Sequence, residues 1–198
     1  RGCPGGTLLE IAWLQGRSVE FFDWAQAVGF PCVEVSNGAT DMPPNHKRDL
    51  IEAARDRGFE VLSEVGSKRP ETPVARQWVS EIQADFAAGA HWVVTEGRES
   101  GTVGMYDGSG RIREELLGAI EREVDAARLI FEAPQRAQQA WLVRHFGPDV
   151  NLGNIAVDEI VGVETLRRGL RVDTIDMHGH PAGAGVGAAG LTAGEATS

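Results

Sequence analysis

Apolar positions along the 198-residue chain alternate between two periods. Short runs rich in β-branched residues, at 31–35, 60–64, 92–96, 129–132 and 150–152, read as buried strands. Between them lie stretches with apolar residues at helical spacing, at 8–15, 19–28, 45–57, 72–88, 112–124, 133–146 and 157–168. Phe22, Ala25 and Val28 share one helix face; so do Leu50, Ile51 and Ala54, and again Trp78, Ile82 and Phe86. Thr7 with Glu10 three residues on matches a capping box, and Thr72-Pro73 matches a cap followed by a first-turn proline. Gly29, Gly58, Gly89 and Gly147 stand where helices should stop.

Strand and helix in strict alternation predict a parallel sheet covered by helices. Five strands are readable, and a sixth would lie just before Cys3. A doubly wound sheet fits that number but lacks its Gly-rich nucleotide turn, whereas a closed barrel needs eight strands. Arg1 abuts a turn at Cys3-Pro4-Gly5-Gly6, so the chain is expected to begin part-way through a domain. Residues 1–174 are expected to form that partial barrel domain, and 175–198 a disordered Gly/Ala-rich tail.

Composition changes this picture little. Apolar and charged fractions of 42% and 24% are those of a globular protein. A net charge of −10 argues against nucleic acid as a partner. No apolar run is long enough for a bilayer and no signal-peptide pattern opens the chain, so no membrane partner and a cytoplasmic address are expected. Cys3 and Cys32 are expected as idle thiols.

The candidate chemistry recurs once per unit. Glu34, Glu64, Glu96 and Glu132 stand at or near strand ends, the catalytic position of a parallel barrel. Clustered carboxylates ionise together only around something positive. A hard cation such as Mg²⁺ would serve, and Lys68 and Arg98 could neutralise others. The competing reading is a polar interior layer paired with basic residues. The loop Gly97-Arg98-Glu99-Ser100-Gly101 offers an anion a guanidinium and backbone N–H groups, unless Arg98 pairs with Glu96 or Glu99. Gly153-Asn154, just before the last helix, offers a second anion site or a plain turn and cap. The histidines do not cluster, the tryptophans read as packing, and Arg167-Arg168 reads as a solvated helix end.

Several motifs, in order and with matching spacing, carry a resemblance. They are Pro4-Gly5-Gly6-Thr7-Leu8-Leu9-Glu10, Val33-Glu34-Val35-Ser36, Glu64-Val65-Gly66, Thr95-Glu96-Gly97-Arg98, Phe131-Glu132-Ala133-Pro134-Gln135, Asn151-Leu152-Gly153-Asn154 and Glu164-Thr165-Leu166-Arg167. From about residue 2 to 174 the chain resembles the phosphosulfolactate synthase family. The resemblance implies an α/β fold, a (β/α)8 TIM-type barrel of which about the last six βα units are present, without the first two strands. It implies Mg²⁺-dependent addition of sulfite to phosphoenolpyruvate, giving (2R)-phospho-3-sulfolactate, the first committed step of one route to coenzyme M. On that basis Glu64, Glu96 and Glu132 are expected to hold the metal, and Glu64, Glu96 and Arg98 to form the catalytic set. Lys68, Arg98 and Ser100 would bind substrate anions, and Gly153 and Asn154 the phosphate. The resemblance extends to a plant heat-stress-associated barrel, whose reading would be a non-catalytic role in protein homeostasis. A related carbon–sulfur ligation is a third reading. The partners implied are small molecules, with homo-oligomerisation left open.

Overall fold

All five expected strands form in the computed structural model, which describes residues 2–67 and 72–178. They are β1 (Cys32–Val35), β2 (Glu60–Val65), β3 (Trp92–Thr95), β4 (Leu129–Glu132) and β5 (Leu152–Gly153). Every pairing is parallel and the spatial order is the sequence order, β1-β2-β3-β4-β5. A doubly wound sheet reverses its order at a switch point. This one does not, so its crossovers all step the same way, as in the wall of a (β/α) barrel.

Among the described residues the connecting helices are α1 (Thr7–Leu14), α2 (Ser18–Val28), α3 (Pro44–Asp56), α4 (Ala75–Ala88), α5 (Glu114–Glu123), α6 (Arg136–Phe146) and α7 (Ile160–Arg167). Alternation along each strand sorts the side chains. Val33, Val35, Val61, Val65, Val93, Leu129 and Phe131 face the helices and are buried with Leu9, Phe22, Ile51, Ile82, Ile120 and Leu142. The opposite face receives Glu34, Leu62, Glu64, Trp92, Ile130 and Glu132. One face therefore makes the core, and the other carries the acids.

Tertiary contacts move several expected boundaries. The Thr72-Pro73 pair does not open α4; Val74 is its extended N-cap, which puts Trp78, Val79, Ile82 and Asp85 on the buried face. Helix α5 starts at Glu114 because Ile112 is held extended by an antiparallel bridge to Tyr106. β5 is displaced to Leu152–Gly153, with Val150 buried ahead of it. The buried stripe of α2 is centred on Ala25 between Phe21 and Phe22, which leaves Val28 at its edge and 57% exposed. Helix α1 is not capped by Thr7: Gly6 is the N-cap, and Glu10 turns inward instead of back to the helix start. After Thr174, whose hydroxyl donates to the Leu166 carbonyl, a 3-10 turn at Ile175–His178 follows. The disordered tail expected over 175–198 is therefore corrected at 175–178, which form this turn, and the rest of it, 179–198, lies outside the described residues.

Candidate active site

The strand register decides which acids meet. Thr95 pairs with Val65 and Phe131, so Glu96 and Glu132 come next along β3 and β4 and stand side by side. Glu64 aligns with Val94 and Ile130, two residues lower, and Glu34 with Leu62 and Trp92, two lower again. The four acids form a staircase, not a ring. Glu34 belongs to the Pro4–Gly6 turn, its N–H and carbonyl bonded to Pro4 O and Gly6 N at 3.0 and 3.1 Å.

Glu96 is 1% exposed, and its Oε1 accepts the backbone N–H of Arg98 at 2.6 Å. Glu132 Oε2 accepts the N–H groups of Gly97 and Arg98 at 2.8 and 3.0 Å. Arg98 has φ 54°, a left-handed turn that points consecutive N–H groups into one concavity. The expected anion nest exists, but the anion in it is the protein's own Glu132. A carboxylate on the adjacent strand meets these donors at higher effective concentration than any free anion, so the loop's N–H groups serve its own fold. The Arg98 side chain is exposed at the rim.

The rest of this loop is tied down from below. Met105 N donates to Glu96 O at 3.0 Å, and a Cβ on Gly104, where φ is 60°, would lie 2.0 Å from that oxygen. The Tyr106 hydroxyl donates to Glu132 O at 2.5 Å, and burial, followed by the nearby Glu132 charge, lifts its pKa well above the ordinary tyrosine value. Gln135 and Gln138 form a capping box at the start of α6. Gln138 Nε2 also reaches the carbonyls of Gly101 and Gly110 at 2.7 and 3.0 Å, and Gln135 Nε2 that of Ser100 at 2.6 Å. The Ser100 hydroxyl meets Thr102 Oγ1 at 2.8 Å. It is exposed and engaged within its own turn.

Glu64 is 4% exposed at the end of β2. Two residues on, Gly66 has φ 125°, and a Cβ there would lie 2.6 Å from Glu96 Cβ and 2.8 Å from the Trp78 ring. Only glycine lets the loop after β2 pass so close to Glu96. A pocket of about 300 Å³ opens here at the C-terminal ends of β1 to β3, lined by Asn37, Gly66, Ser67, Thr72, Trp78 and Gly104 among others. Lys68, expected to bind substrate, lies outside the described residues.

Gly153 sits in register with Glu132, and a Cβ there would lie 3.1 Å from Ile130 Cγ2. Asn154 is exposed with φ 53°. The pair is not at the N-terminus of α7, as its position in the sequence implied. The left-handed turn at Asn154 and a 3-10 turn at Val157–Glu159 intervene before the helix begins at Ile160. Arg167 is not a free helix end either: its guanidinium donates to the carbonyls of Pro148 and, at 2.7 Å, Val150.

Glu10 is the residue that local reading misplaced. It is 0% exposed, and its carboxylate accepts the hydroxyls of Ser36 and Thr40 at 2.5 and 2.7 Å and the N–H of Thr40 at 2.7 Å. It thereby orders the loop that leaves β1. Its one sequence signal is a carboxylate next to Leu9 on the inward face of an apolar helix.

The model of the (2R)-phospho-3-sulfolactate synthase (ComA) family matches residues 1–173. The phosphosulfolactate synthase of Methanothermobacter thermautotrophicus is 47% identical over 178 residues, 87% of this chain and 68% of its own. That of Methanocaldococcus jannaschii is 43% identical over 175 residues, 86% of this chain and 70% of its own. That of Bacillus subtilis is 41% identical over 174 residues, 86% of this chain and 69% of its own. The chain belongs to the phosphosulfolactate synthase family. Read as a phosphosulfolactate synthase wall, β2, β3 and β4 deliver Glu64, Glu96 and Glu132 to one sheet face. No helix among the described residues is long and apolar enough to cross a membrane.

Proposed function

We propose that the chain catalyses the addition of sulfite to phosphoenolpyruvate, giving (2R)-phospho-3-sulfolactate, with its strands part of a closed (β/α)8 barrel. The observation that carries this reading is the pair Glu96 and Glu132 at adjacent strand ends, with the buried Glu64 just below. Sulfite sulfur attacks the methylene carbon, and the double-bond electrons move toward the substrate carboxylate. The adjacent carbon then takes a proton, and the phosphate ester is kept. Charge therefore builds on the substrate carboxylate, and a cation placed against it lowers the barrier. Arg98 at the rim, with Lys68 after β2 in the sequence, would bind the substrate's anionic groups. Gly153, bare beside Glu132, leaves room for the phosphate.

The donor set fits a hard cation. The carboxylates of Glu64, Glu96 and Glu132 offer only oxygen. Among the described residues no group of three or more His, Cys, Asp or Glu side chains is poised around a metal. The expected three-glutamate ligand set is therefore not gathered around one point, and Mg²⁺ would take one or two of these carboxylates and fill its shell with water and substrate phosphate. When bound, Mg²⁺ supplies Lewis-acid stabilisation of the developing enediolate. The product is a three-carbon sulfonate, the starting point of one route to coenzyme M.

The test is sulfite-dependent consumption of phosphoenolpyruvate by the chain, with and without Mg²⁺. Turnover that needs both sulfite and Mg²⁺, and that Glu96→Gln abolishes, supports the reading. No consumption under either condition overturns it in favour of a non-catalytic barrel, and undiminished turnover by Glu96→Gln removes Glu96 from the chemistry.

A further inference from the structure

Lys47 is 1% exposed on the helix-covered side of the sheet, opposite the face that carries the Glu64 carboxylate. Its ammonium has three hydrogens and meets three acceptors: Glu64 O at 2.8 Å, Glu81 Oε1 at 2.8 Å and Asp85 Oδ2 at 2.7 Å. Asp85 also accepts the Ser63 hydroxyl. Burial by itself would lower the lysine's pKa, but Asp85 and then Glu81 outweigh it and hold the ammonium above the ordinary lysine value. A buried charge this fully matched is costly to assemble and needs a reason at this position.

The reason lies in the β1–β2 ladder. Its last register pair is Val35 with Ser63, and Glu64 is the next residue of β2. The Val61 and Val65 carbonyls accept N–H groups from the β3 side, His91 and Glu96, so by alternation the Glu64 carbonyl points to the β1 side. There β1 has already ended. A buried carbonyl beyond the end of its ladder needs another donor, and Lys47 supplies it. The same ammonium grips Asp85, which grips the side chain of Ser63. Two consecutive residues, Ser63 and Glu64, are thus locked from behind by one cation on α3 and two carboxylates on α4.

We infer that Lys47 is a positioning residue for Glu64, holding the end of β2 where it runs past β1 so that the Glu64 carboxylate keeps its place on the site face. The inference rests on the reading of Glu64 as a site residue given under Proposed function. Lys47 itself touches no substrate, since it lies on the other side of the sheet.

The test measures turnover of phosphoenolpyruvate and sulfite per folded molecule of the chain, with the folded fraction taken from circular dichroism. Lys47→Met is expected to lower kcat roughly 10- to 100-fold while KM for phosphoenolpyruvate changes less than about threefold, the size seen when a supporting shell is lost. Asp85→Asn, which keeps shape and the Ser63 contact, lowers kcat by a smaller factor and serves if Lys47→Met does not fold. On a Glu64→Gln background neither change lowers kcat further, because both act through Glu64. Wild-type kcat per folded molecule in both variants, or the same factor lost again on the Glu64→Gln background, overturns the inference. Undiminished turnover by Glu64→Gln alone refutes the placement of Glu64 in the site, and is distinguished by needing no change at Lys47.

Discussion

Glu132 Oε2 takes the backbone N–H of Arg98 at 3.0 Å, and this contact ties the end of β4 to the loop that leaves β3. With the Gly97 N–H at 2.8 Å on the same oxygen, the carboxylate acts as a template for the turn that carries Arg98. The guanidinium at the rim is then placed by an acid on the neighbouring strand.

Removing that template separates folding of the loop from folding of the sheet. Glu132→Ala leaves the Gly97 N–H without its charged acceptor and the Arg98 N–H with Glu96 Oε1 alone, a loss of about 2 kcal/mol confined to the loop. Amide hydrogen exchange at Gly97 and Arg98 is expected to rise, while protection in β2 and β3 stays as in the parent. Uniformly raised exchange would mean that Glu132 supports the whole sheet.

Gly66 limits how far Glu96 is free to move. A methyl there would stand 2.6 Å from Glu96 Cβ at a backbone angle that side chains rarely adopt. Gly66→Ala is expected to displace Glu96 and lower kcat by roughly 100-fold, the cost of about 1 Å of misplacement. A kcat within about twofold of the parent would show that the site tolerates the shift.

Glu10 predicts a stability effect through the loop that leaves β1. In Glu10→Ala the Ser36 and Thr40 hydroxyls and the Thr40 N–H lose their acceptor inside the protein. About 3 kcal/mol of folding stability should be lost, measurable by urea unfolding, with Glu10→Gln intermediate. A loss below about 0.5 kcal/mol would mean that water replaces the carboxylate without cost.

Asp107 gives a pH signature for the turn between Tyr106 and Ile112. Hydrogen bonds from the Ser109 hydroxyl and N–H, with a smaller one from Arg111 N–H, hold its carboxyl down to about 2. A depressed carboxyl contributes stability that is present above its unfolded value and lost as pH falls through its folded one. The amide shifts of Ser109 and Arg111 should therefore stay constant from neutral pH to about pH 4 and move only toward pH 2, and Asp107→Asn should abolish the titration. A midpoint near 4 in the parent would mean that these bonds do not hold the carboxylate in solution.

The fold and half of the site were legible because their signals are local. Alternating apolar positions set Val33, Val61, Val93 and Leu129 toward the helices, and the same alternation placed Glu64 and Glu132 on the other face. Glu34 shows where that reading ended. It shares the face, but strand register sets it two residues below Glu64, and register depends on pairing between strands.

The sequence by itself determined the strand–helix alternation, the five strands, the acids at their ends and the family to which the chain belongs. Tertiary structure decided what those groups touch. Glu10 meets Ser36 across 26 positions, Gly97 meets Glu132 across 35, and Lys47 meets Glu64 across 17. Contacts at such separations leave no period in the chain. They follow from which strand ends first, and from burial, which leaves each polar group no partner except one brought by another element.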